Sequence, residues 1–141
     1  MQLKKNTNYA IRMITEMAKR TKITCRESAE MLGVEESYAS VILNKLNKAG
    51  IINAVQGVNG GYSLKANVGQ LTLYDVVRVM ENTIKINRCL EEDEFCSRKA
   101  TKTCKVRKKY LSIQEMIEQE LKSLTFQDFL DYERGNGEVN G

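Results

Sequence analysis

The 141-residue chain contains no histidine. That removes the commonest metal ligand and the usual general base, and with them most enzyme readings. Tryptophan and proline are absent too, and aromatic residues reach only 6%, so the 42% of hydrophobic residues must build an aliphatic core. No window approaches the roughly eighteen apolar residues of a membrane span, and the polar, basic start Met1–Lys5 holds no apolar signal core. The expectation is a cytoplasmic protein, away from membranes, in a compartment that keeps thiols reduced. No nucleophile–base pair, phosphate loop or dinucleotide fingerprint is found, so no catalysis is expected.

Charge is modest in sum and uneven in place. The net value is +4, from 22 basic and 18 acidic residues. Residues 1–50 hold nine Lys/Arg against five Asp/Glu, a local +4. Further on, an acidic run (Glu91, Glu92, Asp93, Glu94) precedes a basic one (Arg98, Lys99, Lys102, Lys105, Arg107, Lys108, Lys109). A solvated surface explains either run as readily as a partner does.

Periodicity divides the chain. Ala10, Met13, Ile14 and Met17 recur at helical spacing and predict a first helix over about 7–20. Thr24 and Glu27 form a capping-box pattern opening a short helix that buries Ala29 and Leu32. After a turn at Gly33-Val34, a helix over about 36–49 buries Ala39, Ile42, Leu43 and Leu46. Two helices joined this way fit a helix-turn-helix. Two β-prone runs around Gly57-Val58-Asn59-Gly60-Gly61 then read as a hairpin, in the position of a wing. Thr72 and Asp75 cap a further helix that turns Leu73, Val76, Val77 and Met80 inward. Periodicity lapses from 87 to 104 and resumes through Tyr110, Ile113, Ile117, Leu121 and Leu124, with one or two more turns around Phe126, Phe129 and Leu130. The predicted fold is mainly α with a small β-hairpin. It comprises a winged helix-turn-helix DNA-binding domain (1–86), a cysteine-bearing loop (87–104), a C-terminal helical dimerisation segment (105–132), with its long helix over about 105–123 and one or two turns beyond, and a flexible tail (133–141).

Opposite its buried stripe, the second motif helix shows Ser37, Tyr38, Ser40, Val41, Asn44, Lys45 and Lys48. Small hydroxyls and an amide suit the major groove, where Asn pairs with adenine. Lys45 and Lys48 fit phosphate contacts, and Tyr38 fits stacking on sugar or donation to phosphate. In the wing, Gln56, Asn59 and the thin turn at Gly60 are the candidate minor-groove elements.

Three of the four cysteines, Cys89, Cys96 and Cys104, crowd the aperiodic loop. Thiolate is a soft ligand that selects iron–sulfur clusters, zinc or Cu(I). Three cysteines can hold three corners of a cluster, with the fourth position open or taken by Glu91, Asp93 or Asn8. Structural zinc favours closely spaced cysteine knuckles and four closed ligands, which this spacing does not offer. A disulfide pair with one free thiol remains open as a redox sensor. Cys25, first in its helix, reads as a half-buried small residue.

These residues resemble the Rrf-two family of bacterial winged-helix regulators, which includes the regulator of iron–sulfur cluster assembly and the nitric-oxide-sensitive repressor. The matching elements are Asn8-Tyr9-Ala10-Ile11-Arg12, Ser37 through Leu43 with Leu46 and Ala49-Gly50, Gly57 through Leu64, Leu71-Thr72-Leu73 with Asp75-Val76-Val77, and the three cysteines before a C-terminal helix. The resemblance implies a homodimer whose C-terminal helices cross, with each winged helix on one half of a palindromic operator in double-stranded DNA. It also implies a [2Fe-2S] or [4Fe-4S] cluster on Cys89, Cys96 and Cys104 whose loss or modification changes DNA affinity. The chain departs from the pattern with six and seven residues between its cysteines, Gln56 where the family often places Arg, and Asn8 where Asp or Glu is usual. A cluster-free thiol regulator of the same fold and a zinc-stabilised interaction module stand as alternatives.

Overall fold

The computed structural model describes residues 2–136. Helix α1 (Lys5–Lys19) buries Thr7, Ala10, Met13, Ile14 and Met17 on one face, the stripe its spacing predicts. No side chain of its own N-cap residue closes its first turn. Instead the Glu81 carboxylate accepts from the Lys4 amide at 3.2 Å and from the Thr7 hydroxyl. A carboxylate there also complements the positive end of the helix.

Helices α2 (Cys25–Leu32) and α3 (Glu36–Lys48) follow. Thr24 accepts from the Glu27 amide at 3.0 Å, as its position predicts. The reciprocal half of the box is not formed: the Glu27 carboxylate takes the Thr24 hydroxyl and the Arg20 guanidinium instead. Strands β1 (Ile52–Val55) and β2 (Gly61–Leu64) pair antiparallel, Ile52 opposite Leu64 and Val55 opposite Gly61. An extra bridge joins Ile23 to Tyr62 through two backbone hydrogen bonds of 2.8 and 2.7 Å, so the α1–α2 connection is stitched to the hairpin. Helix α4 (Leu73–Met80) carries the full Thr72/Asp75 capping box and buries Val76, Val77 and Met80.

The C-terminal part is helical over Lys105–Ser123, as the spacing of its apolar residues predicts, and the further turns around Phe126 form a separate helix. Helix α5 (Lys105–Ser123) ends at Leu124, whose carbonyl accepts from the Leu73 amide at 2.8 Å. A second box, Thr125 with Asp128, opens helix α6 (Phe126–Asn136). Phe126 is fully buried in the same core as Met13, Ile14, Ile42, Leu43 and Ile52, and packs edge-on against Phe129 with centroids 5.6 Å apart. Burying that ring is what turns the chain back onto the winged-helix unit. Helix α6 occupies 133–136 of the stretch expected as tail, and residues 137–141 lie outside the described residues. Among the described residues no helix is long and apolar enough to cross a membrane.

Candidate nucleic-acid interface and cysteine pocket

Helix α3 buries Ala39, Ile42, Leu43 and Leu46, and that choice fixes what it presents to solvent. Ser37, Tyr38, Val41, Asn44, Lys45 and Lys48 are exposed, and Ser40 is half-buried. Tyr38 is also held within the chain. Its hydroxyl donates to the Asn6 amide oxygen, and its ring meets that of Tyr9 edge-on at 5.9 Å. Its sequence neighbours gave no sign of this tie between α1 and the start of α3. Lys45 and Lys48 lie in the last turn, where cations complement the negative helix end.

At the hairpin tip Gln56 and Asn59 are exposed, and Val58 projects fully into solvent. The Gly60 amide donates to the Gly57 carbonyl at 2.9 Å. A Cβ on Gly60 would sit 2.5 Å from the Val55 carbonyl oxygen, so the turn requires glycine there. The hairpin also receives a residue from outside itself: the Lys22 ammonium donates to the Asn59 carbonyl.

The aperiodic stretch folds as a 3-10 turn (Arg88–Leu90) followed by tight turns with Glu94 and Lys99 at positive φ. It is pinned from both sides. The Asn87 side chain accepts from the Cys89 amide at 3.2 Å, and the Arg107 guanidinium donates to the Cys89 carbonyl at 3.1 Å. Cys104 caps α5, its sulfur accepting from the Arg107 amide at 3.4 Å and lying 3.8 Å from the Arg98 guanidinium. The backbone amides of Ala100 and Arg98, with the Arg98 charge, hold the Cys96 thiol below its ordinary value. All three thiols are free and half-buried, and all three line one open cavity of about 350 Å³ with Phe95, Arg98, Arg107 and Tyr110.

The donor types fit a metal cluster, but the arrangement falls short of a coordination sphere. Among the described residues no three of His, Cys, Asp and Glu converge closely enough to hold a metal ion. The oxygen donors considered for a fourth position are engaged elsewhere. Glu91 accepts from the Thr83 hydroxyl, and Asp93 forms a two-pronged pair with Arg88, whose guanidinium lies over Phe95. Asn8 is on α1, in a different groove from the cysteines. Cys25 stands apart: its thiol donates to the Glu36 carbonyl at 3.3 Å, and burial with the nearby Glu36 charge pushes its ionisation up.

A helix-turn-helix followed by a two-stranded wing defines a winged-helix protein. The profile of the Rrf2 family, described as an iron-dependent transcriptional regulator, matches residues 3–132, and the chain belongs to that family. Protein aau3 of Rhizobium meliloti (strain 1021) is 38% identical over 97 residues, covering 67% of this chain and 63% of that protein. The HTH-type transcriptional regulator CymR of Bacillus subtilis (strain 168) is 24% identical over 142 residues, 99% of this chain and 96% of CymR. The solved structure of T. potens IscR superposes with a TM-score of 0.70 at 22% identity, covering 93% of this chain and 87% of that one, and shows the shared fold.

Proposed function

We propose that the chain is a homodimeric, DNA-binding transcription regulator that senses iron–sulfur, oxygen or nitric-oxide status through Cys89, Cys96 and Cys104. The observation that carries this is that three free thiols line one cavity at the very start of α5. Helix α5 buries only Gln114 within the chain, while Val106, Ile113 and Met116 are 56%, 45% and 66% exposed. Apolar side chains left in water along one long helix favour a second copy as the partner, since a two-fold interface pairs a patch with itself. A signal at the cysteines therefore acts at the root of the dimer helix.

On DNA, α3 supplies the major-groove face. Asn44 and Ser40 are suited to base edges, and Ser37, Lys45 and Lys48 to phosphates. The wing, through Gln56, Asn59 and Gly60, follows the adjacent minor groove. A two-fold dimer reads a palindromic operator. Cys89, Cys96 and Cys104 would hold the cluster; bound there, it would supply an iron exposed to oxygen or nitric oxide. Arg98 and Arg107, both lining the cavity, would offset the negative charge of thiolates.

A second reading keeps the DNA-binding half and replaces the cluster by thiol chemistry. The three thiols are free and, among the described residues, are not grouped closely enough to hold a metal ion, which favours it. Iron and acid-labile sulfide content, with a visible spectrum, on protein purified without oxygen decides between the two. Near-stoichiometric iron and sulfide support the cluster. Colourless protein that resists anaerobic reconstitution removes the cluster and leaves a thiol regulator.

A further inference from the structure

A wing that enters or flanks the minor groove needs positive charge, because the phosphates on either side dominate its affinity. The hairpin of this chain has none: residues 52–64 contain neither Lys nor Arg. The fold brings one in from elsewhere.

Ile23 bridges to Tyr62 by a reciprocal pair of backbone hydrogen bonds, which holds the preceding residue, Lys22, against the hairpin. Gly61 makes room for this. Its φ is +152°, and a Cβ there would lie 2.8 Å from the Ile23 carbonyl oxygen and 3.3 Å from Lys22 Cγ. The Lys22 stem thus runs along the hairpin, and its ammonium reaches the Asn59 carbonyl at the tip, next to the fully exposed Val58. One of three ammonium hydrogens serves that bond, and two remain.

The charge is also uncompensated. Lys19, Arg20 and Arg26, close in sequence, are each paired with a carboxylate (Glu133, Glu16 and Glu27, and Glu30). Among the described residues Lys22 has no such pair, a property it shares with Lys45 and Lys48 on the recognition helix.

We propose that Lys22, carried by the α1–α2 connection and docked on the Asn59 carbonyl, is the cation of the wing and binds a DNA phosphate beside the minor groove. A lysine in this place positions the wing without choosing sequence. The proposal rests on the DNA-binding reading above.

The test is a salt series on the full chain purified without oxygen, using a mixed-sequence duplex of about 30 base pairs between roughly 50 and 200 mM salt. Lys22→Gln keeps a donor for the Asn59 carbonyl and removes the charge. It is expected to reduce the slope of log K against log salt by about 0.9 per protomer, which near 0.1 M salt is roughly an eightfold loss of affinity per protomer. Lys22→Arg should restore both. Lys19→Gln, which removes an ion-paired cation of equal charge, should leave the slope where it is. Lys22→Gln with a wild-type slope overturns the proposal, and so does an equal change in Lys19→Gln, which would reduce the effect to net charge. Wild-type protein with no salt-dependent affinity for duplex DNA would overturn the DNA-binding reading itself.

Discussion

Gln114, the one residue of α5 buried within the chain, donates from its amide to the Ile84 carbonyl at 3.0 Å. Its amide oxygen accepts from the Ile86 amide at 2.8 Å, so a single side chain satisfies the backbone on both sides of Lys85. Both Gln114 and Ile84 are 2% exposed. This is the seam between α5 and the segment that leads from α4 into the cysteine loop. Gln114→Leu keeps the volume and leaves a buried carbonyl and amide without partners. The expected cost is about 1–3 kcal/mol, seen as a lower urea midpoint. An unchanged midpoint would mean that water reaches the seam and replaces the glutamine.

That contact also shows what the sequence could and could not disclose. The stripes of α1, α3 and α4 are legible because hydrophobic periodicity reports which face is buried, and Ala10-Met13-Ile14-Met17 is buried as spaced. Gln114 is not legible this way: a polar residue in an amphipathic pattern reads as solvated, and its partners lie 28 and 30 residues away. The end of α5 is legible where the three-and-four apolar spacing stops at Leu124, and Thr125 with Asp128 repeats the capping pattern of Thr72 and Asp75 at the start of α6. The tie from Tyr38 to Asn6 and Tyr9 and the bridge from Ile23 to Tyr62 are long-range pairings without a local signature. Three nearby cysteines were visible from composition, and their placement in one cavity required the folded loop.

Asn44 is exposed on α3 between Val41 and Lys48, one turn from each, and among the described residues its side chain makes no hydrogen bond. In the major groove its amide can meet adenine through two bonds. Asn44→Ala should then cost about 1–3 kcal/mol at a selected operator and little on mixed-sequence duplex, measured by titrating both under the same salt. Equal losses on the two DNAs would assign Asn44 to positioning rather than readout.

Cys96 lies between the other two thiols in sequence and lines the same cavity. In the cluster reading, Cys96→Ala should abolish retention of iron and sulfide in anaerobic protein, while the urea midpoints of the two metal-free proteins stay close because the side chain is only half-buried. Full iron and sulfide in that variant would take Cys96 out of the ligand set.

The cysteines should also separate by pH in metal-free protein. Backbone amides and Arg98 favour the Cys96 thiolate, so its ionisation midpoint is lowered and its thiolate fraction at a given pH exceeds that of an ordinary thiol. For Cys25 burial and the Glu36 charge disfavour the anion, and the midpoint rises. The thiolate is the nucleophile. Iodoacetamide modification followed by peptide mass analysis should therefore show a Cys96 rate whose increase with pH sets in earlier than that of an ordinary thiol, with Cys25 lagging until the solution is more alkaline. Reversed order at neutral pH would show that access, not ionisation, governs the two sites.

The dimer reading turns on Val106, Ile113 and Met116. All three lie on α5 and are exposed in the single chain, while Gln114 is buried in it. Replacing Ile113 or Met116 by Glu costs the isolated fold little, because neither side chain is buried in it. In a two-fold interface each substitution occurs twice, and carboxylates are brought together out of water. The expected penalty is roughly 3 kcal/mol or more, a hundredfold or greater rise in the dimer dissociation constant by sedimentation. Far-UV circular dichroism should stay unchanged, which separates loss of pairing from loss of folding. If Ile113→Glu and Met116→Glu both sediment as wild-type dimers, the pairing surface lies elsewhere, and the cysteine pocket loses its place at the root of the dimer helix.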